Sequence, residues 1–261
     1  MHLRVAAVVA LLLAVAGCGS AGAEPAQCMP RDTAYTFTAE QSANAATIAA
    51  VGRQLGVPAR GITVALATAM QESRLRNLDY GDRDSLGLFQ QRPSQGWGTP
   101  EQVTEPRYAA TAFYTALAEL PGWEQMRLTE AAQAVQRSGF PEAYQQWEGE
   151  AQALATALGG QVAGLTCTMP GEAPVLDRAA RLAAAAALVE ADLSMPVLQT
   201  TETSVSWAAG DRPWILATWL VAYSEQLGVV SIGHDGQRWA AGEGWTADPA
   251  MDADQVLADL S

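Results

Sequence analysis

An apolar helical stretch that stops on a carboxylate and runs into a glycine-rich loop constrains this chain more than any other feature. Pro58 suits the first turn of a helix, and Ile62, Leu66, Ala69 and Met70 recur at helical spacing. The spacing predicts a buried helix running to about Asn77, with Gln71-Glu72-Ser73 towards its C-terminal end. Behind it, Leu78 to Thr99 contains Gly81, Gly87, Pro93, Gly96 and Gly98, the punctuation of an irregular loop. One carboxylate, Glu72, is therefore set at the end of an apolar helix, facing the turn Gly87-Leu88-Phe89-Gln90.

The flanking segments are also helical. Thr38-Ala39-Glu40-Gln41 fits a capping box opening a helix to about Leu55, with Gly56 closing it. Pro106 opens a helix through Leu120, Thr129 caps one through Arg137, and Pro141 opens one through Leu158. After the Pro- and Gly-containing segment from Thr168 to Pro174 the pattern changes. Val175 to Ala191 reads as an Ala-rich helix, Thr203 to Ala208 as a strand, and Pro213 to Leu227 as a buried helix. Val229 to Ile232 and Gln237 to Ala240 read as strands around the turn His234-Asp235-Gly236. Trp207, Trp214, Trp219, Trp239 and Trp245 are open to three readings: core, sugar platform or partner surface.

Two effects favour a protonated Glu72. The negative end of the helix dipole disfavours a carboxylate there, and burial beside Met70 and the loop aromatics acts in the same direction. A general acid needs to be protonated near neutral pH. Arg74 and Arg76 would oppose this if they pointed at it, and a solvated surface glutamate is the plain alternative. Glycoside hydrolysis ordinarily uses two carboxylates. Asp79, Asp82 and Asp84 offer a second, although each also suits a turn or a cap.

Glu72-Ser73 followed at this distance by Gly87-Leu88-Phe89-Gln90 resembles the soluble lytic transglycosylases of the lysozyme-like superfamily, over roughly Thr38 to Gly160. The resemblance implies a mainly α lysozyme-like domain at 37–167, followed by a small α/β domain at 175–261. It also implies cleavage of peptidoglycan glycan strands, with Glu72 acting first as acid and then as base to leave a 1,6-anhydro end. Ser73 would then hold the acid or a substrate group. Gly87 would let backbone approach a sugar, and Gln90 would offer its amide to the glycan. Trp97 would stack on a ring or anchor the core. A third family motif, Ala-x-x-Tyr-Asn-x-Gly, is altered here: in Ala132 to Gly139, Val135 falls near the Tyr position and Gln136 near the Asn. Gln136 is a candidate cleft residue, and Gln136 or Tyr144 is the candidate substitute for the missing tyrosine. Two other functions stay open, a goose-type-lysozyme-like hydrolase and a non-catalytic glycan-binding or scaffolding lipoprotein.

The N-terminus reads as an export signal at 1–17, with Arg4 before the apolar stretch Val5 to Ala16. Val15-Ala16-Gly17-Cys18 resembles a bacterial lipobox, in which Cys18 is lipidated and the chain is anchored to the outer face of the membrane. Cleavage after Ala21 or Ala23, giving a secreted protein, is the alternative. Residues 18–36 would then be a tether. With Cys18 lipidated, Cys28 and Cys167 remain as one pair, suited to an oxidising compartment. A net charge of −13 argues against nucleic acid and against adhesion to anionic surfaces, so glycan recognition is expected to come from a shaped cleft. There is no P-loop, dinucleotide fingerprint or metal-spaced cluster, and no cofactor or metal is expected. The expected partners are peptidoglycan strands, the membrane through the lipid, and a cell-wall protein through the C-terminal domain.

Overall fold

In the computed structural model, residues 26–168 and 177–261 are described. The expected signal peptide, the expected lipidation at Cys18 and all of the expected 168–174 linker after Thr168 lie outside the described residues. The chain opens with strands β1 (Gln27–Pro30) and β2 (Phe37–Thr38), followed by helix α1 (Ala39–Gln54). The Thr38 capping box forms as expected: the Thr38 hydroxyl accepts from the Gln41 amide, and the Gln41 side chain accepts from the Thr38 amide. Helix α2 (Ala59–Ser73) lies against α1 and is buried along nearly its whole length. Short α3 (Pro100–Val103) and α4 (Pro106–Ala118) follow, then α5 (Leu128–Gln136), α6 (Glu148–Ala157) and β3 (Leu165–Thr168).

The second stretch begins with α7 (Arg178–Leu193), β4 (Val197–Thr200) and β5 (Ser204–Ala208). Next come α8 (Pro213–Ala222), α9 (Ser224–Leu227) and the hairpin of β6 (Val229–His234) with β7 (Gln237–Ala240). Strands β8 (Gly244–Ala247) and β9 (Gln255–Leu260) complete an antiparallel sheet of order β4-β5-β9-β6-β7-β8. Asp235 and Gly236 at the hairpin tip have φ of 44° and 68°, the left-handed pair that a two-residue turn requires.

This architecture corrects the expected mainly α lysozyme-like domain with a small α/β appendage. Helices hold 46% and strands 18% of the described residues, in a six-stranded and a three-stranded antiparallel sheet. The three-stranded sheet, β2-β1-β3, occupies segments that carry no alternating pattern, including part of the expected tether. In the large sheet β4 is exposed on both faces and β8 is short, so neither alternates polar and apolar residues as a half-buried strand would. Its antiparallel pairing also replaces the α/β arrangement.

Local boundaries move for identifiable reasons. Helix α2 stops at Ser73, short of Asn77, because Arg74 and Leu75 are both left-handed (φ 57° and 58°). The Leu75 amide returns to the Ala69 carbonyl, and the Leu75 side chain is buried, so the turn inserts an apolar anchor at the cost of about 1–2 kcal/mol per strained residue. Asn44 and Gln41 of α1 donate to the Leu75 and Arg74 carbonyls, both at 2.8 Å. Thr129 lies inside α5, not at its cap. The segment after Pro141 turns irregularly until Glu148 because Tyr144 and Trp147 point into the core.

One contiguous apolar core runs through both stretches. Trp207, Trp219 and Trp239 belong to it, each no more than 1% exposed. Polar contacts join the stretches as well. Buried Asp192 of α7 accepts from Arg107 of α4 at 2.6 Å and from the Trp219 indole at 2.8 Å. The hydroxyls of Thr47 and Tyr223 meet between α1 and the residue ending α8.

The expected Cys28–Cys167 disulfide is formed, joining residues directly opposite each other in β1 and β3. It closes a loop across a sequence separation of 139. In the chain-entropy description such a closure stabilises by about 4–5 kcal/mol. Replacing both cysteines by serine should therefore lower the unfolding free energy by roughly that amount, read from urea transitions. The unmutated protein should lose the same stability when dithiothreitol is added.

Candidate active site

The last turn of α2 carries Gln71, Glu72 and Ser73, and each is held differently. Ser73 is buried, and its hydroxyl lies 3.0 Å from the Ala69 carbonyl and 2.8 Å from the Leu88 carbonyl. One hydroxyl thus ties the helix end to the turn Gly87-Leu88-Phe89-Gln90. Leu88 and Phe89 are fully buried, and Phe89 stacks on Phe113 of α4 with centroids 4.8 Å apart. Gln71 accepts the Trp147 indole N–H at 2.8 Å and the Gln146 amide at 3.1 Å. Arg74 lies over the Trp147 ring, 4.1 Å from its centroid, and Arg76 leans towards the Ser73 carbonyl. Neither arginine is aimed at Glu72.

Glu72 itself is half-buried. The hydroxyl of fully buried Tyr144 donates to its Oε1 at 2.7 Å. The Gln136 side-chain amide, at the end of α5, donates to the Phe89 carbonyl at 2.7 Å. Burial pushes the Glu72 carboxyl above the usual carboxylate range, opposed in part by the Tyr144 and Gln136 hydrogen bonds. The Tyr144 hydroxyl is raised as well, by its own burial and by the neighbouring Glu72 charge, so it stays a donor. Val135 is a buried residue of α5, and the hydroxyl at the Glu72 carboxyl is that of Tyr144.

The aspartates serve the loop. Asp84 accepts from Arg92 Nε at 2.8 Å and from the Ser94 amide and hydroxyl at 2.7 and 3.0 Å. These bonds, led by that from Arg92, hold its carboxyl well below the usual range. Asp82 lies 3.9 Å from exposed Arg83, and Asp79 is exposed. Among the described residues no aspartate charge acts on Glu72.

The remaining expected residues are distributed around the same loop. A Cβ on Gly87 would meet the Val103 carbonyl at 2.1 Å, so glycine is required there by close backbone packing as well as by its φ of 75°. Gln90, itself left-handed, donates to the Tyr80 and Gly87 carbonyls and braces the loop. Trp97 is half-buried and lines a cavity of about 710 Å³, together with Val135, Gln136 and Leu120. Gln136 thus lines this cavity and holds the Phe89 carbonyl of the loop. The Gln71–Trp147–Arg74 arrangement was not legible in the sequence, because those residues share no recognisable spacing. Among the described residues no His, Cys, Asp or Glu cluster is arranged to hold a metal.

Compared with protein-family models and with curated proteins, the chain matches none.

Two measurements follow from the hydrogen bonding of Glu72. Both Tyr144 and Gln136 favour the ionised form, so Tyr144→Phe should move the Glu72 titration to higher pH, as read by carboxyl-carbon NMR. Folding raises the Glu72 pKa above its ordinary value of 4.5. Its contribution to stability is then complete below that ordinary value and is lost as pH rises through the folded value. Glu72→Gln, which keeps an acceptor for Tyr144, should therefore raise the unfolding midpoint at about pH 7 and leave it unchanged at about pH 3.

Proposed function

We propose that the protein cleaves peptidoglycan glycan strands by a lytic transglycosylase mechanism. The observation that carries this reading is a half-buried carboxyl, raised in pKa by burial, whose Oε1 accepts a hydrogen bond from the buried Tyr144 hydroxyl at 2.7 Å. Burial favours the protonated form of this acid, which in the proposed reaction gives its proton to the glycosidic oxygen as the bond to the anomeric carbon breaks. The resulting carboxylate accepts the Tyr144 hydrogen bond and then acts as the base. It takes the proton of the muramoyl 6-hydroxyl as that oxygen closes on the anomeric carbon. Atoms balance without water: one glycosidic bond is replaced by one internal ether bond, and Glu72 returns to its protonated form.

Two-carboxylate hydrolysis is less well supported, because Asp84 is committed to Arg92 and Ser94. We further propose export and anchoring through Cys18, which would put the site at the wall side of the membrane. No helix among the described residues is long and apolar enough to cross a membrane. The antiparallel sheet region is proposed to meet a wall component or a wall protein.

Purified peptidoglycan incubated with a soluble form beginning after Cys18 should yield anhydro-muropeptides by mass spectrometry. Glu72→Gln should reduce their formation by roughly 10²–10⁴-fold. Products heavier by one water would replace this mechanism with hydrolysis. No products from folded protein would leave a glycan-binding role in its place.

A further inference from the structure

We propose that a second cavity, set between α1, the end of α7 and the start of α8, binds a phosphate group through the guanidiniums of Arg53 and Arg212. The cavity has a volume of about 370 Å³, at the small end of the range that holds small molecules. Arg53 lies in the last turn of α1, Arg212 immediately precedes α8, and both line the cavity. Neither makes a salt bridge among the described residues. Arg53 is half-buried and gives one donor to the Leu158 carbonyl at 3.0 Å, while Arg212 is exposed.

Apolar Ala50, Leu193 and Ile215 share the cavity wall with these cations. Burial lowers the Arg53 guanidinium to about 10, and the Arg212 charge acts in the same direction. The two cations thus stand near enough to repel each other, and an anion held by both replaces that repulsion with two attractions. Of the carboxylates at the cavity, Asp192 is taken by Arg107 and the Trp219 indole, and Asp211 is exposed. The positive end of α8 adds to the field. That helix is ten residues long, its cap residue Arg212 and its third residue Ile215 line the cavity, and no side chain caps it. A tetrahedral phosphate has oxygens enough for two guanidinium forks, whereas the two oxygens of a carboxylate are filled by one. With the whole protein at −13, no general attraction brings an anion here, so binding comes from these local donors.

The test is calorimetric titration of the protein at low salt with inorganic phosphate, glycerol 3-phosphate and acetate. Both phosphate compounds should bind saturably and about tenfold more tightly than acetate. Arg212→Gln, a change at an exposed residue, should weaken phosphate binding about tenfold. Arg238→Gln, exposed on β7 and outside the cavity, should leave it unchanged. Asp211→Asn removes an exposed carboxylate from the cavity and should tighten binding about twofold. Sedimentation with phosphatidylglycerol vesicles separates the sources of the phosphate. Vesicle binding that falls about tenfold in Arg212→Gln assigns it to a lipid headgroup, and binding confined to the soluble compounds assigns it to a free ester. Three results overturn the inference: no saturable phosphate binding up to about 10 mM, acetate bound as tightly, or an affinity that Arg212→Gln moves no more than Arg238→Gln does.

Discussion

The hydrogen bond from Tyr144 to Glu72 is the contact on which the surrounding structure depends. A carboxyl brought out of water at the end of a buried helix is costly unless its oxygens find donors. Tyr144 supplies one at 2.7 Å, and Gln136 also favours the ionised form. Each donor then fixes its own neighbourhood: Gln136 holds the Phe89 carbonyl, and the segment of Tyr144 abandons helical geometry until Glu148. Burial and hydrogen bonding therefore act on this carboxyl in opposite directions.

Rigidity reaches the site from the far side of the molecule. Helix α4 presents Phe113 to Phe89 at the loop and Arg107 to Asp192 of α7. Burial raises the Asp192 carboxyl, while Arg107 and Trp219 draw it back towards ionisation. Ion pairs of this type add little net stability compared with an apolar substitute, yet leaving one partner alone is expensive. They therefore specify one docking of α4, α7 and α8. The sheet region is in this way part of what holds the loop floor still.

Much of the site was legible because its signals are local. Glu72, Ser73 and the Gly87–Gln90 turn lie close in sequence, and the capping box at Thr38 is written in four consecutive residues. The switch from helical to strand patterning after 168 was also readable. The mixed fold was not, since β1, β3, β4 and β8 are short and their register comes from tertiary pairing. Tyr144 was legible only as one of two substitutes. Its spacing from Val135 matches no motif, and only the packed core brings it to Glu72. Gln71 and Trp147 had no sequence signal at all, because the contact spans a separation of 76 residues.

The pairing of β1 with β3 has a consequence for the order of assembly. Gln27 sits opposite Thr168, so the strand made first is completed by the strand made last in that stretch. A chain threaded from its N-terminus leaves β1 without its β3 neighbour until residue 168 has emerged. The acid, at position 72, likewise waits for Gln136 and Tyr144. A chain that ends short of residue 144 therefore lacks the donor at Glu72 altogether, and the order of synthesis sets the order in which this site is assembled.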